Sequence, residues 1–309
     1  MDKFKNKVAL IIATKDRPEE LSKLLTSLSR QSYYPDQIIV VDGSQPPLGD
    51  LIEKFSFMNI VSLRVFPPSG TKQRNAGILS VEKGISLVGF VDDDVVFEPE
   101  SVERMMTYWE SAPQSVGGAS FNRVNHPALT GEWLKRSLLL EKLGLYNRKE
   151  GLVLSSGFQI MYGAAEKTTF IQWLGTTASV WRKEIFENFK FDEWFSGYSY
   201  LEDLDFSYRV GKVRRLAIVA DAPYYHHPSP VGRPRDFIFG KKEVLNRFYF
   251  VRKHQELSVG KCCLTLVSRM ILSFFLLFYE RRMSYANRLL GNFAGFLESV
   301  KLTRKMAAY

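Results

Sequence analysis

Apolar and polar residues alternate in blocks over the first part of the chain. VALIIA, Val8 to Ala13, is an unbroken apolar run, the pattern of a strand buried on both faces. Leu21, Leu24, Leu25 and Leu28 then recur at helical spacing, with Pro18 in the first turn and Asp16 as the expected cap. QIIVVD, ending at Asp42, predicts a second strand, LGDLIEKFSF a short helix, and IVSLRVF a third strand. TKQRNAGILSVEKG predicts a further helix and SLVGFVDDD a fourth strand. This alternation predicts βαβ crossovers and a parallel sheet covered on both faces. Such sheets bind ligands at the carboxyl ends of their strands. The polar residues at those ends are Thr14, Asp16, Asp42 and Asp92 to Asp94.

Beyond Pro99 the pattern loosens. SVERMMTYWE is helical, whereas Gly117 to Gly175 mixes glycine-rich turns, short strands and a helical piece near Leu138 to Leu143. GTTASVWRKEIFENF predicts a strand running into a helix, Glu202 to Arg209 a helix, and RRLAIVAD a strand. The Pro- and Arg-rich stretch from Pro228 to Pro234 marks a boundary. Past it, DFIFGKKEVLNRFYFVRKH reads as a helix with a basic face, and ERRMSYANRLLGNFAGFLESVKLTRK as an amphipathic one. Between them CCLTLVSRMILSFFLLFY is apolar apart from Arg269. Its length is at the lower limit for a membrane span and a mid-span arginine is costly, so a buried or interfacial helix is expected.

Composition narrows the setting. The net charge is +9, but from Pro230 onward 15 Lys and Arg face 5 Asp and Glu, while the first 229 residues hold 27 against 28. The basic excess therefore belongs to the tail, as in a nucleic-acid arm or an anionic-membrane surface. Its interleaving with long apolar runs suits lipid better than nucleic acid. The two cysteines, Cys262 and Cys263, are adjacent, which argues against a disulfide framework and for a reducing compartment. The apolar run after the N-terminal lysines is too short for a signal-peptide core and reads as the first strand.

Asp92, Asp93 and Asp94 repel one another unless something positive sits among them. An acidic, solvated turn is one reading; a divalent cation held by oxygen ligands, magnesium or manganese, is the other. LEDLD supplies Glu202, Asp203 and Asp205, either as favourable charges at a helix N-terminus or as working carboxylates. GTKQRNAG places Gly70, Lys72, Arg74 and Asn75 at a helix start, a natural anion site or an ordinary basic turn. YYHHPSP adds His226 and His227.

Taken in order, VALIIATKDRP, IIVVDGS, GTKQRNAGI, VGFVDDDVVFEP, FDEWFSGYSYLEDLDFSYRVGK and YYHHPSP resemble family 2 glycosyltransferases of the GT-A fold, over about Val8 to Pro230. The resemblance implies a GT-A catalytic domain over 1–230, with a donor half to about 115 and an acceptor half from about 116, followed by a basic amphipathic helical tail over 231–309. It implies transfer of a sugar from a nucleotide-diphosphate sugar with inversion, assisted by manganese or magnesium. Ala13, Thr14, Asp16, Arg17, Asp42, Lys72, Arg74, Asp92 and Asp93 match nucleotide-sugar positions, although Arg17 stands where many members carry an acid or asparagine. Asp94, with Asp92 and one of His226 and His227, matches the metal site, and His226 is the favoured histidine. Asp203 matches the catalytic base; Glu202, Trp181 and Gly175 fall on the acceptor side.

The chemistry is consistent with that pattern. A cation can neutralise a diphosphate leaving group, and a carboxylate can take the proton of a weakly acidic acceptor hydroxyl. The expectation is a cytoplasmic enzyme peripheral to the inner membrane face. It would act on a glycan or lipid-linked acceptor in polysaccharide biosynthesis, with self-association through the apolar tail as a further partner arrangement. A sugar-phosphate nucleotidyltransferase shares the sheet and the metal carboxylates but normally carries a glycine-rich loop after the first strand, which ATKDRPEE lacks. A basic nucleic-acid-binding protein is the rival of another class, disfavoured by the apolar tail.

Overall fold

A computed structural model describes residues 3–126, 141 and 146–306, with side chains to residue 299. Apart from Glu141, the expected helical piece near Leu138 to Leu143 lies outside the described residues. The chain divides into two compact units, Met1–Leu129 with Tyr162–Gly232, and Thr130–Met161 with Arg233–Tyr309. The second boundary falls two residues from the one read at 230; the first assigns to the C-terminal unit a segment that the sequence alone would leave in the catalytic domain.

In the first unit the strands are β1 (Val8–Thr14), β2 (Gln37–Asp42), β3 (Ile60–Arg64), β4 (Leu87–Asp92), β5 (Val95–Phe97), β6 (Val116–Arg123), β7 (Thr169–Ile171), β8 (Ala178–Arg182) and β9 (Arg215–His226). The helices are α1 (Pro18–Leu28), α2 (Gly49–Glu53), α3 (Gly70–Leu79), α4 (Ser101–Ser111), α5 (Ile185–Asn188) and α6 (Glu202–Gly211). One sheet runs β3-β2-β1-β4-β8-β6-β9-β5, with β7 added on β9. The first four strands are parallel, as their apolar runs predict. β8 enters antiparallel between β4 and β6, so the loosened sequence pattern corresponds to a change of strand direction.

Both faces are covered. Val8, Leu10 and Ile12 of β1 pack with Leu21, Leu24, Leu25 and Leu28 on one face. Ile11 packs on the other with Ile39, Val41, Phe90, Trp181 and Phe206. Trp181 is fully buried and lies across Gly118, its cross-strand partner, where a Cβ would stand 2.4 Å from the indole. Register sets the edge that matters for function: Thr14 pairs with Asp42, and Ala13 with Asp92.

In the second unit α7 (Asp236–Lys253) packs along α9 (Met283–Met306), and α8 (Val259–Glu280) runs between them in sequence. Gly291 permits the close approach, since a Cβ there would stand 2.1 Å from the Phe237 carbonyl oxygen. Glu243 anchors the three helices, taking two hydrogen bonds from Arg288 at 3.1 and 2.9 Å and lying 3.5 Å from Arg269. Buried Arg247 stacks 4.2 Å above Phe158, which ties the segment before Met161 to this unit.

Trp181→Ala should lower stability by about 3–5 kcal/mol, the cost of emptying a large aromatic site in a core. Urea denaturation of the variant checks this, and an unchanged midpoint would show that the indole does not support the sheet.

Candidate functional site

At the end of β2, Asp42 is buried and its two oxygens are fully engaged. Oδ1 accepts from the Ser44 backbone N–H at 2.7 Å, and Oδ2 from the Leu48 backbone N–H at 2.9 Å and from Arg64 at 2.6 Å. Burial alone would raise this carboxyl; the surrounding donors outweigh it and hold the group below its ordinary range. Asp16 does not cap α1, because Arg17 occupies the N-cap and makes no side-chain cap bond. Asp16 instead adopts a left-handed conformation, φ 53°, and binds the next loop: its N–H donates to Ser44 Oγ at 2.7 Å and its Oδ1 accepts from the Gln45 N–H at 2.9 Å.

The three consecutive aspartates do not share one environment. Asp92 Oδ1 accepts from Arg74 at 3.0 Å. Asp93 accepts from Thr14 Oγ1 at 2.7 Å and from Arg17 Nη1 at 2.9 Å; burial still pushes it up to about 6. Asp94 Oδ2 accepts from the Ser229 backbone N–H at 3.0 Å. Asp94 Oδ1 is buried without a hydrogen bond, facing His226 Nε2 at 3.0 Å. Burial would raise Asp94, but His226, Ser229 and Arg17 together hold it below its ordinary value. The pairing of β5 with β9 sets Val95 opposite His226, which explains the contact. His227 is exposed, with its ring stacked beside Tyr225.

The second acidic group opens α6 after two left-handed residues, Ser199 (φ 54°) and Leu201 (φ 75°). Glu202 Oε1 accepts from Arg74 Nη1 at 2.9 Å. Asp203 Oδ1 accepts from the Leu204 N–H at 2.7 Å, and its Oδ2 lies 3.7 Å from where a Cβ on Gly175 would sit. The Gly175 N–H donates to the Tyr162 hydroxyl at 3.3 Å, and burial pushes that phenol up to about 12. Burial pushes Glu202 and Asp203 up as well, opposed by Arg74, whose own charge the acids sustain.

The structure therefore brings together Thr14, Arg17, Asp92, Asp93, Asp94 and His226 on one side, Glu202, Asp203 and Gly175 on the other, with Arg74 between them. Lys72 is exposed, and Trp181 belongs to the core rather than to this edge. Sequence reasoning did not find Arg64, Ser44, Ser229 or Tyr162. The β2–β3 register sets Arg64 opposite Asp42, and register is not legible in a single strand.

Among the described residues no three His, Cys, Asp or Glu side chains converge as a ready-made metal cage. The facing pair of Asp94 Oδ1 and His226 Nε2 nevertheless fits a small divalent ion. Two neighbouring ligands of an octahedral ion, each about 2.1 Å from it, are about 3.0 Å apart.

Residues 9–165 match the profile of glycosyl transferase family 2. An uncharacterized glycosyltransferase of Bacillus subtilis (strain 168), YwdF, is 30% identical over 107 residues, which is 34% of this chain and 39% of that protein. The fold is similar to that of S. aureus TarS, with a TM-score of 0.52, 17% identity, and coverage of 79% of this chain and 42% of that one. It is also similar to TarS 1-349 in complex with UDP-GlcNAc, with a TM-score of 0.52, 16% identity, and coverage of 93% and 90%. The chain thus spans about two fifths of YwdF and of the longer TarS chain.

Arg74→Met should destabilise the protein by about 3–5 kcal/mol above pH 8, because a buried carboxylate loses its partner. Burial raises Glu202 to about 8, so the loss should shrink as the pH falls through that value, where Glu202 is protonated and no charge is stranded. Denaturation curves of variant and parent on either side of that pH check both the size and the direction.

Proposed function

The chain belongs to glycosyl transferase family 2, a glycosyltransferase of the GT-A fold, and from that premise we propose that it transfers a sugar with inversion from a nucleoside-diphosphate sugar to a hydroxyl of a glycan or lipid-linked acceptor in polysaccharide biosynthesis. One observation carries this reading: two carboxylate groups more than a hundred residues apart meet at the carboxyl edge of the sheet, joined through Arg74. A nucleotide-sugar donor is further supported by the UDP-GlcNAc held by the similar TarS structure.

In this reading Asp42, fixed by Arg64 and two backbone donors, and Asp16 orient the nucleoside. Asp94 and His226 would hold manganese or magnesium beside the donor diphosphate. The ion, when bound, neutralises charge on the diphosphate leaving group. Asp203 takes the proton of the acceptor hydroxyl, on the opposite side of Arg74 from Asp92. Burial helps, because a carboxyl raised above its usual range is a stronger base while it remains ionised. Glu202 and Gly175 border the acceptor, and the 2.9 Å contact with Arg74 fixes the Glu202 side chain there.

The tail supports a peripheral membrane location on the cytoplasmic face. α8 is long and apolar enough to cross a membrane by length and composition, with mean hydropathy 1.9. Its turn at Arg269 packs toward Glu243, which leaves the end from Ile271 to Tyr279 apolar all round except at Ser273, with every side chain exposed or half-buried. Such a segment is about 14 Å long against a hydrocarbon core of about 30 Å, so it reaches one leaflet. A second copy of the chain would cover one stripe of the helix; lipid covers the whole circumference. Arg281 and Arg282 follow at head-group level.

Three measurements test these assignments. Asp203→Asn should lower turnover at least about a hundredfold while leaving donor affinity in place. In the parent enzyme the acid limb of kcat/KM should lie above the usual carboxylate range of about 4, because the base must be ionised and burial raises it. The full chain should sediment with phosphatidylglycerol vesicles, more weakly at high salt, and the double change Phe275→Asp and Phe278→Asp should abolish sedimentation. A stable dimer that ignores the vesicles would give the apolar end to a second copy instead.

A further inference from the structure

Arg17 is the basic side chain that lies against both Asp93 and Asp94. Its Nη1 donates to Asp93 Oδ1 at 2.9 Å and stands 3.8 Å from Asp94 Oδ2. The same guanidinium donates through Nε to the Val231 carbonyl at 3.0 Å and through Nη2 to that oxygen as well. Only 17% of the Arg17 side chain is exposed, and that of Asp93 is 3% exposed, so solvent screens this charge little. Asp92 is engaged by Arg74 and Asp93 by Arg17, whereas Asp94 meets His226 at 3.0 Å through Oδ1 and the more distant Arg17 through Oδ2.

We propose that Arg17 is a built-in cation that sets the metal affinity of the donor-free site. It neutralises Asp93 and opposes a second cation at Asp94 until a nucleoside diphosphate brings its own negative charge. The inference rests on the metal reading given above. It follows from Coulombic repulsion between a guanidinium and a divalent ion in a poorly screened cluster. A donor diphosphate adds two or more negative charges beside the same atoms and reverses the balance, so the ion binds mainly together with the nucleotide. Arg17 therefore acts through Asp93 and Asp94 as a positioning residue, and its fork to Val231 holds the segment that carries Ser229 against the cluster.

Titration of the full chain with Mn2+, followed by the free-ion electron paramagnetic resonance signal, tests the proposal with and without UDP. The parent protein should bind Mn2+ weakly alone and much more tightly with UDP. Arg17→Gln should bind Mn2+ alone roughly tenfold more tightly than the parent, shrinking the gain from UDP. Arg17→Lys keeps the charge without the fork and should titrate like the parent. Unchanged or weaker binding by Arg17→Gln, while the parent still binds Mn2+ with UDP, overturns the role of Arg17 and leaves the metal reading standing. That role also falls if Arg17→Lys matches Arg17→Gln, since the fork and not the charge would then matter. Absence of Mn2+ binding by every protein with UDP present overturns the metal reading and this inference with it.

Discussion

The double ion pair of Arg74 is the interaction on which the arrangement of the site depends. One guanidinium joins the end of β4, at Asp92, to the start of α6, at Glu202, with both bonds at about hydrogen-bond length. A planar fork with fixed donor directions constrains both partners at once, which a lysine could not do. Because Arg74 is buried, neither acid can exchange its partner cheaply for water. The backbone supports the same junction: the Thr71 N–H donates to Ser199 Oγ and the Gly70 N–H to the Gly197 carbonyl, fastening the start of α3 to the loop that leads into α6.

Each acid then has a distinct electrostatic setting. Asp42 is held ionised by donors, Asp93 is raised by burial even with an arginine beside it, and Glu202 and Asp203 are raised together. Carboxylates of one chemical type are thereby given different ionisation behaviour within one site. Their differences come from surroundings rather than from residue identity, which is how a fold obtains several functions from a single side chain.

The first four strands were legible because parallel strands buried on both faces are written as unbroken apolar runs, as in VALIIA and QIIVVD. The acidic ends were legible for the same reason, since the carboxyl edge follows from strand direction. What lay beyond the sequence was pairing. Arg74 reads as an anion-binding residue at a helix start, yet its partners come from segments 18 and 128 residues away. Trp181 reads as an acceptor-side aromatic, yet β8 turns it inward over Gly118. Asp16 has the sequence signature of a cap, but a left-handed backbone turns it toward the β2 loop. In each case the deciding contact is long-range, and no local pattern encodes it.

The pairing of β9 with β5 gives the two adjacent histidines different inheritances. β9 pairs first with β6, where its register jumps from Val219 opposite Phe121 to Pro223 opposite Asn122, and then with β5, where His226 meets Val95. The intervening residues Ala220 to Ala222 leave this ladder but are held all the same, Ala220 by Asn122 and Asp221 by Arg104, each at its carbonyl, while Ala222 is buried in the core. From Tyr224 onward side chains alternate faces at every step. His226 therefore meets Asp94 from the last paired position of the strand, whereas His227, one step on, leaves that face and stacks beside Tyr225.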